Sequence, residues 1–112
     1  MQYLLFMVDD GSSDTMEGVE PRLATWLERM REQGVEHRGS RLRPKAEAVT
    51  VRVRDGRALV TDGPFADTKE QICGFEVVEC PDLDAALEVA GGHPTAQDHA
   101  IEIRPFWLTE ED

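Results

Sequence analysis

The chain has 112 residues, 40% of them hydrophobic and 31% charged, which fits one globular domain over residues 1–112 and excludes a disordered composition. The formal net charge is −11, with acidic residues concentrated at Glu17–Glu20, Glu76–Asp84 and Glu110–Asp112. Arg38, Arg41, Arg43, Lys45, Arg52, Arg54 and Arg57 form a local basic zone. The molecule as a whole still repels polyanions, which argues against nucleic acid and leaves a small anionic ligand or an acidic protein segment as what that zone can bind.

Tyr3–Val8 is a continuous apolar run and reads as a central strand buried on both faces. It is too short for a membrane span and has neither the charged start nor the cleavage site of a signal peptide, so a cytoplasmic location is expected. Asp9–Asp14 is a polar loop. Val19, Leu23, Trp26, Leu27 and Met30 then recur on one face of a helix at about 20–33, with Pro21 in its first turn, Gly34 at its end and Trp26 in the core.

Val35–Leu42 carries a weak strand pattern. Val49, Val51 and Val53 alternate with Thr50, Arg52 and Arg54, the pattern of a half-buried strand. Asp55-Gly56 is a hairpin turn, and Arg57–Thr61 returns as its partner. Asp62-Gly63-Pro64 is a turn by chemistry. Ile72–Cys80 is a further strand, broken by Gly74 and closed by Pro81. Asp82 caps a second helix with Leu83, Ala86, Leu87 and Ala90 on one face, ended by Gly91-Gly92. Ala100–Pro105 is the last strand.

This order predicts an α+β, ferredoxin-like domain: a mainly antiparallel sheet with two helices on one face. A first strand apolar on both faces leaves the other face uncovered, so a homodimer packed sheet to sheet is expected, with Trp107 reaching the partner. Cys73 and Cys80 lie seven apart on one strand and point to opposite faces, so they are expected to be small buried hydrophobes and not a disulfide.

The segment Val60-Thr61-Asp62-Gly63-Pro64-Phe65-Ala66-Asp67-Thr68-Lys69-Glu70 resembles the motif of the DGPF branch of the YCII-related proteins. Thr50-Val51-Arg52, Asp55-Gly56, Gly74-Phe75, Asp82–Ala86, His93-Pro94 and Ile101–Pro105 follow in the family's order. The resemblance runs from Tyr3 to Phe106. It implies a ferredoxin-like fold assembled as a dimeric α/β barrel. Some relatives are encoded beside, or fused to, extracytoplasmic-function sigma factors. Some carry a His–Asp pair, and one type eliminates chloride from a chlorinated ring compound. Glu20–Trp26 lacks the histidine that such relatives carry on the first helix. Asp98–Phe106 resembles their histidine-containing last strand, which favours His99.

The candidate acid/base pair is Asp62 with His99, near an expected small-molecule cleft at the Asp62–Phe65 loop. The competing and favoured readings are that Asp62 caps its turn, since Asp-Gly turns are common, and that His99 lies in solvent. Gly63 and Pro64 shape the loop, and Phe65 either lines a pocket or plugs the core. Lys69 can bind an anion and Glu70 can act as acid or base, but adjacent residues of an extended segment point to opposite sides. His93 follows the second helix, where the helix dipole favours a positive imidazole. No cofactor is expected, and the spacing of three histidines and two cysteines matches no metal site. The alternative to a ligand-binding dimer is a non-catalytic regulator linked to a sigma factor.

Overall fold

A computed structural model describes residues 1–11, 19–66 and 68–107. Part of the loop read at Asp9–Asp14, the motif's Asp67 and the acidic Glu110–Asp112 lie outside the described residues. In chain order the elements are β1 (Gln2–Asp9), α1 (Val19–Gln33), β2 (His37–Arg41), a 3-10 turn (Lys45–Glu47), β3 (Val49–Arg54), β4 (Arg57–Asp62), β5 (Gln71–Glu79), α2 (Leu83–Gly91), α3 (Pro94–Asp98) and β6 (Ala100–Pro105).

Four strands form one sheet in the order β2-β5-β1-β6, each antiparallel to its neighbour. With helices between β1 and β2 and between β5 and β6, this α+β arrangement is compatible with a ferredoxin-like fold. Alternation along β1 sends Tyr3, Leu5 and Met7 to the helix side, where they pack with Trp26, Met30, Val78, Ala86, Val89 and Ala90. The Trp26 indole N–H donates to the Val89 carbonyl at 2.8 Å, which ties α1 to α2 and satisfies the one polar atom that this buried ring carries.

The helix faces differ from the periodic reading in detail. Leu27 of α1 is exposed, and Leu83 and Leu87 are exposed because the buried stripe of α2 runs through Ala86, Val89 and Ala90. Small residues there let α2 approach the sheet, and the leucines fall on its flank. Asp82 does cap α2, accepting the Ala85 N–H at 2.9 Å. A third helix, α3, follows at once and was not read from the sequence.

The hairpin turn forms with positive φ at both Asp55 and Gly56, as a two-residue turn of this kind demands. The expectation of a half-buried strand fails: Val49, Val51 and Val53 are about 60% exposed. The reason is topological. β3 and β4 pair only with each other, as a separate two-stranded sheet. Val49, Val51, Val53, Ala58 and Val60 share one face of that ribbon, and alternation buries a face only where something packs on it. The radius of gyration, 16.3 Å, exceeds the roughly 13 Å of a compact domain of this length.

β5 carries a bulge beside β1. Met7 pairs with Gly74 and Val8 with Ile72, leaving Cys73 as the extra residue. The bulge lies two residues from the end of β1, where Asp9 stands with Asp10 next in the chain.

Candidate functional site

β1 ends in Asp9 and is followed by Asp10 and Gly11. Antiparallel pairing of Val8 with Ala100 sets the start of β6 alongside, so His99 reaches the same end of the sheet. His99 Nδ1 lies 3.0 Å from Asp10 Oδ1 and 3.7 Å from Asp9 Oδ1. A carboxylate only accepts, so Nδ1 carries a proton and donates it to Asp10. The imidazole is 4% exposed, Asp10 31% and Asp9 52%, so the ring lies behind the two carboxylates and Asp9 is the most open of the three. Gly11 N–H donates to Asp9 Oδ1 at 3.0 Å and fixes that side chain.

Asp98, just before His99, is gripped by Arg22 of α1 through Nη1–Oδ1 at 3.2 Å and Nη2–Oδ2 at 2.5 Å. That hydrogen-bonded pairing holds the Asp98 carboxyl below the usual carboxylate range. It also pins the segment that delivers His99.

A cleft of about 700 Å³ opens at the same end of β1. Asp9, Gly11, Lys69 and Gln71 line it, as do Arg41 at the end of β2 and Leu42 to Lys45 after it. Ile72 and the bulged Cys73 complete it, with the Cys73 thiol pushed up mainly by burial. Asp9 thus belongs both to the cleft wall and to the histidine cluster. A second recess of about 270 Å³, between α1 and α2, contains none of the residues predicted for a site.

The predicted residues fall in several places. His99 and Lys69 are at the β1 end. Asp62 is exposed at the end of β4, opposite Val49, and the carboxylates near His99 are Asp9 and Asp10 instead. Gly63 adopts φ of +102° and its N–H donates to the Ala48 carbonyl at 2.7 Å; Thr50 Oγ donates to the Gly63 carbonyl at 2.9 Å. These bonds and the half-buried Pro64 shape the hairpin base. Phe65 is 80% exposed, with the Arg52 guanidinium 5.3 Å from its ring centre, so within the described residues it neither plugs the core nor lines the cleft. Glu70 is exposed, and its carbonyl accepts from Thr68 Oγ.

His93 is buried, caps α3 by accepting the Thr95 N–H on Nδ1 at 3.0 Å, and meets the Trp26 ring edge to face at 4.9 Å between centres. Burial lowers its pKa to about 4. The expected positive imidazole is therefore replaced by a neutral one, because the ring starts a buried helix and does not end an exposed one.

Sequence reasoning did not single out Asp9 and Asp10 as candidate site residues. The available signal was two carboxylates directly after a buried strand. Each of Asp9, Asp10 and His99 offers one ligand atom, all within 4.8 Å, so a divalent cation could be held here. A cation held through His99 Nδ1 would break the hydrogen bond to Asp10, whereas one held through Nε2 would leave that bond in place.

A YCII-related domain model matches residues 1–109. The chain belongs to the YCII-related family. An uncharacterised protein of Rhizobium meliloti (strain 1021) is 42% identical over 71 residues, which is 62% of this chain and 57% of that protein. The chain therefore spans little more than half the length of that curated relative. Its described helices include none long and apolar enough to cross a membrane.

Proposed function

We propose that this YCII-related protein is a homodimer that binds a small molecule in the cleft at the end of β1 and moves a proton on it through Asp9, backed by the Asp10–His99 pair. The observation that carries this reading is the buried imidazole held behind two carboxylates, one of which forms the cleft wall. A carboxylate beside an oriented imidazole is the arrangement general acid–base catalysis needs, and such groups contribute about 10²–10⁴-fold. The DGPF branch is part of the same reading, supported by Asp62-Gly63-Pro64-Phe65 and its flanking residues.

Two apolar surfaces support the dimer. Leu4, Phe6 and Phe75 alternate away from the helices onto the other sheet face and are half-buried there. The hairpin shows a row of exposed valines, and an isolated two-stranded hairpin is marginal in water without packing. Residues 37–62 hold seven of the twelve cations and three of the twenty-three carboxylates, giving that segment +4 and the rest of the chain −15. The hairpin region of one copy is therefore attracted to the body of another. In sedimentation, wild type should run as a dimer of about twice the 12.6 kDa chain mass and Val51→Glu as a folded monomer. A monomeric wild type removes the dimer from this account.

The site is tested by thermal-shift screening of a metabolite library, followed by NMR of each binder in heavy water. Wild type should exchange a carbon-bound proton of its ligand, and Asp9→Asn should slow this by about 10² or more while still binding. Equal exchange rates in the two proteins would refute the assigned role of Asp9.

A further inference from the structure

The cleft is cationic in a strongly acidic molecule. Arg41, Arg43, Lys45 and Lys69 line it, against Asp9 as the carboxylate on its wall. Arg43 is engaged by Glu47, its Nε 3.0 Å from Oε2. Among the described residues Arg41 and Lys69 have no carboxylate partner, so their charge is available to a ligand.

Both cations are positioned by the fold. Arg41 is the last residue of β2, in register with Gly74, and the next N–H, from Leu42, donates to the Cys73 carbonyl at 3.0 Å. The β5 bulge thus fixes where the strand carrying Arg41 ends. Lys69 packs its side chain beside Gly11, within 3.6 Å of where a Cβ there would lie. The same cleft has apolar lining: Leu42 and Ile72 are 43% and 49% exposed. Exposed aliphatic side chains in one cleft with two cations match a ligand with an anionic head and an apolar body.

We infer that this cleft takes an organic anion, with a carboxylate or phosphate group held by Arg41 and Lys69 and an apolar body resting on Leu42 and Ile72. The inference rests on reading the cleft as the functional site. It adds the ligand class to that reading: oxyanions accept from guanidinium and ammonium donors, and a charged pairing discriminates strongly against a neutral analogue.

Calorimetric titration at constant ionic strength tests it, with benzoate, phenyl phosphate, inorganic phosphate and benzyl alcohol as probes. Benzoate or phenyl phosphate should bind at least about tenfold more tightly than benzyl alcohol, which is about 1.4 kcal/mol. Whichever aryl anion binds better identifies the head group, and weaker binding of inorganic phosphate shows that the apolar body contributes. Arg41→Gln and Lys69→Gln should each weaken the aryl anion about tenfold, and Arg57→Gln, at the hairpin turn, should leave it unchanged. Benzyl alcohol binding as well as the anions, no aryl anion binding at millimolar concentration, or an equal loss in Arg57→Gln would overturn the inference. Asp9→Asn separates it from the acid–base reading: losing a carboxylate from the wall should strengthen anion binding. If anions bind there and no proton exchange is found, the ligand class stands and the catalytic role falls. If a neutral ligand exchanges its proton through Asp9 irrespective of Arg41 and Lys69, the reverse holds.

Discussion

His93 should make the protein acid-sensitive at a pH well above where carboxylates titrate. Its folded pKa is lowered from 6.5 to about 4 by burial against Trp26. The unfolded chain protonates this ring below about pH 6.5, the native chain only below about 4. Between those values the unfolded state holds more protons, so stability rises with pH and is lost on acidification. A shift of this size at about 1.4 kcal/mol per unit costs the native state about 3 kcal/mol at the acid end of the window. His93→Asn keeps a side-chain acceptor for the Thr95 N–H, since asparagine is a good N-cap, and removes the titration. Urea denaturation of both proteins from pH 7 to pH 4 reads the effect. Loss of the ring contact with Trp26 gives the variant a constant offset, whereas the difference between the two proteins should drift by about 3 kcal/mol in the variant's favour as pH falls. A difference that stays flat across the window would refute the argument that the ring is buried neutral.

Four other substitutions probe the frame around the site. Trp26→Phe leaves the buried Val89 carbonyl without its donor and should cost about 1–3 kcal/mol in urea denaturation, the upper end if no water replaces the indole N–H. Gly39→Ala should destabilise sharply, because a Cβ would collide with the Phe75 carbonyl and the Glu76 carboxylate that His37 binds; Gly91→Ala, with open space around it in α2, should be neutral or stabilising by up to about 1 kcal/mol. Arg22→Gln removes the bond that depresses Asp98, so the Asp98 midpoint followed by NMR should move up toward that of an ordinary carboxylate; an unchanged midpoint would assign the depression to another group.

Local signals carried most of the elements. The helix read at about 20–33 is Val19–Gln33, the Asp82 cap and the Asp55-Gly56 turn form, and the last strand is Ala100–Pro105. Each depends on a few neighbouring residues with strong intrinsic preferences. α3 escaped because five residues are too few to show a helical period, and its start looks like the end of α2. The hairpin's exposure escaped because alternation reports a face and is silent on what covers it. The cluster at the β1 end escaped for a third reason. Asp10 and His99 are 89 residues apart and meet only through the β1–β6 register, which no local pattern encodes. The Asp62-Gly63-Pro64-Phe65 motif drew attention to the hairpin base, where the bonds of Gly63 are structural.

The central claim is the location of the site, and NMR mapping with a compound that raises the melting midpoint tests it most directly. Amide shifts should concentrate at Asp9, Asp10, Gly11, Arg41, Leu42, Lys69 and His99. Shifts that cluster at Asp62 to Phe65 and leave those positions unmoved would contradict it.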